Sequence, residues 1–452
     1  MKSKVKLLAL ILSLCMLLSC LYGCGDGHSS TESGQGSTEN PAVTETIDYA
    51  ASVKLDMDSS TAKLEVVDVK MYIDGDTTHF HVPSSKFDGG VLKARYLAVN
   101  TPESTGKIEE YGKAAATFTR EKLSQATSII LESDSSTWEA DSTGDRYLSW
   151  VWYKTADSNE YRNLNIEILQ NGLAIASNSA NNRYGSTCVA AINQAKAQKL
   201  NVHSGQKDPD FYYGDAIELT LKELRTNIEQ YNGKKVAFNG VITMNNAQTV
   251  YIEDYDAESD MYYGISIYYG YNLTGAGLEI ISVGNEVRIV GSVQYYEAGG
   301  TYQVSDLSYR QMKPNDPNNI QKLGDGKKPA YVLTDADTFQ NGKVEIVSED
   351  GTKTFDFAQL AMNTSVKMKN LKVKNVYTTT NEESSSKGAM TLTCEVDGVT
   401  VSVRTTVLLD ENKNLITSDA FEGKTIDVKG LVDYFDGSYQ IKVFTMDNIT
   451  IH

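Results

Sequence analysis

The sequence predicts a mainly β protein with a few helices, divided into several domains. Short apolar stretches bounded by Gly, Asn and Asp recur between residues 64 and 105 and again after residue 235, as expected for strands joined by turns. Between residues 111 and 200, three stretches carry apolar side chains at helical spacing. Two similar segments, 284–304 and 423–441, predict that the C-terminal half contains two related β domains.

The N-terminal residues have the pattern of an export signal. Lys2, Lys4 and Lys6 precede an apolar run at 7–18 that is too short to span a bilayer as a final anchor. The segment LYGCG then resembles a bacterial lipobox, which implies a signal peptide at 1–24 and a lipid anchor on Cys24. Cys20, in LLSC, is an overlapping alternative, and a signal peptide cut elsewhere with a fully secreted product is another.

Residues 25–60 are rich in Ser, Thr, Gly and Glu, and this composition predicts a disordered tether. After the signal region the chain contains only Cys188 and Cys394, so we expect two buried free thiols and no disulfide-linked partner. With five His and no spaced Cys/His cluster, a zinc centre is not expected.

The net charge of −17 is distributed unevenly along the chain. Residues 61–205 contain 15 Lys and Arg against 17 Asp and Glu, whereas the tether and the C-terminal half hold the excess acid. Because affinity for phosphate backbones comes largely from Lys and Arg, this balance excludes a general polyanion-binding surface. Any nucleic-acid chemistry must therefore depend on a local site.

Several motifs occur in a fixed order between residues 61 and 206. They are DGDT at 74–77, RYLAVNTPE at 95–103, YGKAA at 111–115, DRYLSWV at 145–151 and NIEILQNGLA at 165–174, with a last helix at 190–200. This series resembles the staphylococcal (micrococcal or thermo-) nuclease family. The resemblance implies an OB-type five-stranded barrel plus three helices over 61–206, and a thermonuclease-like endonuclease that hydrolyses phosphodiester bonds of DNA or RNA with Ca²⁺.

The same resemblance assigns a role to each matching residue. Ca²⁺, a cation that prefers several oxygen ligands, would be bound by Asp76, the Asn100 side chain and the Thr101 carbonyl. Asp74 would support these ligands without binding the metal itself. Glu103 would orient or deprotonate the attacking water, and Arg95 and Arg146 would hold the phosphoryl oxygens.

Two departures from the family pattern bear on activity. Well-known members have Asp where this chain has Asn100, so we expect weaker Ca²⁺ binding. Residues 174–180 lack the tyrosines that stack on the nucleotide, and base stacking is worth ~1–3 kcal/mol. Other aromatic residues could compensate, although strand alternation predicts that most of them pack inside the barrel: Trp138, Tyr147, Trp150 and Trp152.

The C-terminal half resembles the OB-like barrels appended to many Gram-positive lipoproteins. We expect one OB-like domain at 207–313, a Pro- and Asn-rich linker at 314–329 and a second OB-like domain at 330–452. Their ligand is unknown; spacer, protein-binding, glycan-binding and nucleic-acid-binding roles stay open. Six tyrosines could line a binding face: Tyr262, Tyr263, Tyr268, Tyr269, Tyr295 and Tyr296. The alternative to a nuclease is therefore a surface-anchored binding protein with a catalytically idle barrel.

Overall fold

The first sheet is a barrel built by the chain between residues 64 and 163. A computed structural model describes residues 46–177, 179–270, 276–307, 319–348, 351–381, 384 and 386–452; Cys20, Cys24 and the rest of 1–45 lie outside the described residues. The strands are β1 (Leu64–Tyr72), β2 (Thr77–His81), β3 (Val91–Tyr96), β5 (Ala126–Glu132), β6 (Tyr147–Thr155) and β7 (Arg162–Asn163). A short pair lies beside them, β4 (Val99–Asn100) with β8 (Ile175–Ala176).

Four helices pack around this barrel: α1 (Tyr49–Ser52), α2 (Gly112–Ser124), α3 (Leu164–Gln170) and α4 (Gly185–Ala197). Helix α3 begins where the Asn163 side chain accepts a hydrogen bond from the Ile166 amide, which satisfies a donor at the helix start. All three helices expected from apolar spacing are therefore present, as α2, α3 and α4. In the part of the chain that is described, no helix is long and apolar enough to cross a membrane.

The second sheet contains seven strands: β9 (Ile217–Glu218), β10 (Lys235–Asn245), β11 (Thr249–Asp256), β12 (Met261–Tyr268), β13 (Glu286–Tyr296), β14 (Thr301–Ser305) and β15 (Ile320–Gly324). Helix α5 (Leu221–Thr226) precedes β10. The helix begins with a capping box, because the Thr220 side chain accepts from the Glu223 amide and the Glu223 side chain accepts from the Thr220 amide.

The third sheet consists of β16 (Val332–Leu333), β19 (Ser365–Thr378), β20 (Met390–Val396), β21 (Val399–Thr405), β22 (Thr425–Phe435), β23 (Ser438–Val443) and β24 (Ile449–Ile451). Between β16 and β19 the chain forms helix α6 (Ala336–Asn341), the hairpin β17 (Lys343–Ser348) with β18 (Gly351–Asp356), and helix α7 (Phe357–Leu360).

All three sheets close by the same set of strand pairings. In each one, the first strand of the barrel pairs antiparallel with the second and the fourth, while the third and fifth run parallel. The parallel pairs are β3 with β6, β12 with β14 and β21 with β23. The fold prediction is confirmed: an OB-type barrel with helices is followed by two further barrels of this type. The internal repeat corresponds to β13–β14 and β22–β23, the fourth and fifth strands of the last two barrels.

Two segments differ from the expected organisation. Within the predicted tether, residues from 47 onward pack on the first barrel: Ala50 is fully buried, and Asp48 forms an ion pair with Arg162. Within the predicted linker, β15 pairs with β13, although residues 308–318 lie outside the described part. Both segments are polar on average, but each contains a few apolar side chains that become buried, such as Ala50 and Ile320.

The second and third barrels share one continuous apolar core, whereas the first barrel has its own. At the junction between the later two, the buried Glu253 carboxylate accepts from the Ser365 amide at 2.7 Å and from the Ala330 amide at 2.8 Å. Burial raises the pKa of Glu253, and these hydrogen bonds oppose that shift. Cys188, on α4, and Cys394, on β20, are the cysteines within the described residues, and both are buried free thiols.

Candidate active site

The turn between β1 and β2 carries two buried carboxylates. Asp74 and Asp76 flank Gly75, and the Asp76 amide donates to Asp74 Oδ1 at 3.1 Å. A Cβ added to Gly75 would lie 2.7 Å from the Ala115 Cβ, so α2 packs directly on the turn. The Thr119 hydroxyl, also on α2, donates to the Gly75 carbonyl at 2.6 Å. Only glycine fits between the turn and this helix.

Arg95 lies at the centre of the predicted site. It is the next-to-last residue of β3, pairs with Thr77 of β2, and forms an ion pair with Asp76. Its Nη2 also donates to the Asn100 Oδ1 at 2.7 Å. The second Asp76 oxygen, Oδ2, accepts from the Thr101 amide at 2.8 Å. Asp76 and Asn100 therefore contact the same guanidinium group, and Thr101 joins them through its hydrogen bond to Asp76.

Burial and charge perturb the pKa values of these groups in opposite directions. Burial raises the pKa of Asp74, and Arg95 and Arg146 oppose that shift. Burial lowers the pKa of Arg95, and Asp74 opposes that shift. The acid and the base thus stabilise each other's charged form in a partly dry environment.

Glu103 follows Thr101 and Pro102 on a loop at the edge of the same site. Partial burial raises the pKa of Glu103, the nearby Asp74 charge raises it further, and Arg95 opposes both. The loop closes on itself here, since the Glu103 carbonyl accepts from the Glu109 amide at 2.9 Å. The Glu103 amide donates to the Glu109 carboxylate at 3.2 Å.

Arg146 directly precedes β6, and its guanidinium group is bound by Asp141. The family motifs do not include this carboxylate. The Arg146 Nε and Nη2 lie 2.8 Å and 2.6 Å from Asp141 Oδ2. The Thr143 hydroxyl fixes the other Asp141 oxygen at 2.6 Å, and the Asp141 amide donates to the Arg146 carbonyl at 2.8 Å. The signal in the sequence is the turn DSTGDR at 141–146, where an acid precedes the arginine by five residues.

The donor set suits a hard cation, although it is sparse. Asp76 Oδ1 and Asn100 Oδ1 both contact Arg95, so two oxygens of the kind that Ca²⁺ prefers lie around one positive charge. Among the described residues, no three His, Cys, Asp or Glu side chains group as metal ligands. A Ca²⁺ ion here would thus depend on one carboxylate, one amide and backbone oxygens, with water completing its coordination.

An open cleft of ≈ 670 Å³ lies beside Asn100. Its walls include Pro102, Glu109, Tyr111, Ile175 and Lys207. Of the described residues that line the cleft, only Tyr111 is aromatic, and its hydroxyl is hydrogen-bonded to Ser204 Oγ at 2.9 Å. As expected, Trp150 and Trp152 are fully buried in the barrel and cannot stack on a base.

The barrel, its helices and the acid and arginine side chains at one end define a nuclease-type fold. Residues 93–204 match the family model described as staphylococcal nuclease homologue, and this segment is a domain of that family, as predicted. The match begins at β3; β1, β2 and the Asp74–Asp76 turn complete the barrel ahead of it. A comparison with curated proteins gave no match for the chain.

Proposed function

We propose that this protein is a Ca²⁺-dependent extracellular nuclease that hydrolyses phosphodiester bonds of DNA or RNA, attached to the outer face of a bacterial membrane by a lipid on Cys24. One observation carries the catalytic part. In a domain of the staphylococcal nuclease homologue family, Asp76, Arg95 and Asn100 are in direct contact, and Glu103 and Arg146 interact electrostatically with Asp74 beside them.

Glu103 is the residue suited to prepare the attacking water. A general base works best when its pKa lies near the operating pH, and burial together with Asp74 moves the pKa of Glu103 upward toward that range. Glu103 is exposed at the edge of the site, so water can reach its carboxylate.

The two arginines are suited to hold the phosphoryl group. A guanidinium fork matches two phosphate oxygens, and this contact grows stronger as charge accumulates in the transition state. A phosphate would compete with Asp76 for Arg95 and with Asp141 for Arg146. When bound by Asp76, Asn100 and the Thr101 carbonyl, Ca²⁺ would supply a further positive charge against a phosphoryl oxygen.

Substrate binding should be weak and tolerant of base identity. Among the described residues that line the cleft, the one aromatic side chain, Tyr111, is buried, and stacking contributes ~1–3 kcal/mol per base where it is present. We therefore expect a high KM with a kcat set by the charged residues.

The alternative function, a surface binding protein with an idle barrel, is favoured by one observation: the protein's own carboxylates pair with both arginines. Its binding face would lie on the second barrel, where Tyr295 and Tyr296 are exposed while Tyr263 and Tyr269 are buried. A failure of every nuclease assay below would favour this function.

The test is degradation of denatured DNA by the full-length protein with Ca²⁺ and with a chelator. We expect cleavage only with Ca²⁺, and loss of cleavage in Asp76→Asn. Asp157→Asn removes an exposed carboxylate in the turn after β6, where it accepts from the Thr155 hydroxyl, and serves as the matched control that retains activity. Equal activity with and without Ca²⁺ would refute the metal assignment.

The membrane attachment is tested separately. Cys24→Ser should release the protein from the membrane fraction into the medium, whereas Cys20→Ser should not. If Cys20→Ser alone releases the protein, the lipid is attached to Cys20 and not to Cys24.

A further inference from the structure

The loop that carries Glu103 is held from outside its own domain. Residues 102–110 connect the predicted metal ligands to α2, and Gly106 at the tip is the only buried residue among them. Gly106 has φ +71°, a backbone conformation that favours glycine. The second barrel is what buries this tip.

A single side chain of the second barrel makes two hydrogen bonds to the loop backbone. Gln294, on β13, donates from Nε2 to the Ser104 carbonyl at 2.6 Å. Its Oε1 accepts from the Gly106 amide at 3.4 Å. The Ser104 carbonyl belongs to the residue directly after Glu103, so Gln294 fixes the chain one residue from the proposed base.

Further contacts hold Gln294 and the tip in place. The fully buried Ser305 donates its hydroxyl to Gln294 Oε1 at 2.9 Å, which orients the carboxamide. The Asp306 amide donates to the Gly106 carbonyl at 2.9 Å. Gly106 therefore has both of its backbone polar groups bonded to the second barrel.

A separate ion pair joins the two barrels on the other side of the loop. Arg120 Nη2, on α2, lies 2.5 Å from Glu297 Oε1, which belongs to the turn between β13 and β14. The Arg120 guanidinium also stacks 4.7 Å from the Tyr72 ring. The helix that follows the loop is thus aligned with the same turn region of the second barrel.

We propose that Gln294 is a positioning residue for the nuclease site, and that the second barrel acts as a brace that sets the place of Glu103. This inference rests on the proposed function. A loop with a single buried residue gains little order from apolar packing, so hydrogen bonds to its backbone decide which conformations it populates. A displacement of a catalytic group by about 1 Å can reduce the rate by 10²-fold.

The experiment compares Gln294→Leu with Gln440→Leu in the full-length protein. Gln440 is an equally buried glutamine in the third barrel, whose Nε2 donates to Asp433 at 2.8 Å, and it does not contact the loop. Gln294→Glu is the second variant, because it keeps the acceptor for Gly106 and removes the donor to Ser104.

Hydrogen exchange of the amides at 103–110 provides a readout that needs no activity. We expect exchange there to become roughly 10-fold faster in both Gln294 variants and to stay unchanged in Gln440→Leu. Unchanged exchange in Gln294→Leu would overturn the proposal that Gln294 holds the loop. If that variant misfolds, unchanged exchange in Gln294→Glu would overturn it.

Kinetics then test the link to Glu103. Gln294→Leu should reduce kcat about 10-fold or more while KM and the Ca²⁺ requirement stay within about twofold. In a Glu103→Gln background the same change should reduce kcat by no more than about twofold, since a lost base cannot be misplaced. Faster exchange with an unchanged kcat would overturn the positioning role. If the wild type is inactive, the proposed function fails, and hydrogen exchange alone still decides whether the brace exists.

Discussion

The first and third barrels share a topology and also an arginine at the same place in it. Arg95 and Arg404 are each the next-to-last residue of the third strand, each pairs with a threonine of the second strand, and each side chain points outward. Their partners differ. Arg95 contacts Asp76 and Asn100, whereas Arg404 donates to the hydroxyls of Thr391 and Thr379, each at 3.0 Å.

This difference shows that the position of an arginine on an OB-type barrel does not define a site. Arg95 has a carboxylate and an amide oxygen beside it, whereas the third barrel offers Arg404 neutral hydroxyls instead. Two barrels of the same fold can therefore differ in function, because the side chains at the site, and not the fold, determine the chemistry. The predictions below test how far that difference holds.

The largest effect should come from replacing the two arginines in parallel. Arg95→Lys keeps the charge but removes the planar guanidinium group that can donate to two phosphate oxygens at once. DNA cleavage should therefore decrease by roughly 10²–10³-fold, as when one stabilising donor is lost. Arg404→Lys should leave cleavage within about twofold. An equal loss in both variants would mean that the barrels are functionally coupled at these arginines and that the comparison is wrong.

A smaller effect is expected at the junction of the second and third barrels, where stability and activity should separate. A Cβ on Gly264 would lie 2.8 Å from the Asn363 carbonyl carbon, next to the Glu253 contact with Ser365. Gly264→Ala should therefore destabilise the protein by about 1–3 kcal/mol, measured by denaturant unfolding.

Its control is Gly324→Ala, a strand glycine of the same barrel with its nearest neighbour at 3.6 Å. That substitution should leave the unfolding midpoint nearly unchanged. Neither variant should alter DNA cleavage at a temperature where it stays folded; a rate loss in Gly264→Ala would show that the third barrel also acts on the nuclease site.

The smallest effect concerns Asn100, the departure from the family pattern. Asn100→Asp adds a carboxylate where the present side chain accepts from Arg95, so the Ca²⁺ concentration for half-maximal cleavage should decrease by roughly fivefold. Arg95 would neutralise the new charge in the metal-free protein, so its melting temperature should not decrease. If the Ca²⁺ concentration for half-maximal cleavage does not change, position 100 does not face the cation.

Most of the fold could be predicted from the sequence because strand alternation, turn residues and the repeat are local signals. The family motifs also placed Asp76, Arg95, Asn100 and Thr101 in one site, and the structure brings their side chains or backbone together. The helix α1 and the strand β15 were missed, since each depends on a few apolar residues within a polar stretch.

The remaining features depend on how one turn folds back on itself and on contacts between distant parts of the chain. The ion pair of Asp141 with Arg146 could be predicted only from the conformation of the 141–146 turn, which brings the two side chains together. The Gln294 contact joins residues separated by 190 positions, and no pattern in one sequence links Ser104 to a glutamine in another barrel. Long-range polar contacts of this kind are determined by how domains pack, and composition does not reveal them.

The central claim, that the first barrel is a nuclease whose base is Glu103, is tested most directly by the cleavage rate of Glu103→Gln. Its control is Glu121→Gln, an exposed glutamate on α2. With saturating Ca²⁺ and denatured DNA, Glu103→Gln should reduce kcat by roughly 10²–10⁴-fold, the range for a lost general base, while Glu121→Gln stays near wild type. A Glu103→Gln rate within about threefold of wild type would contradict the account.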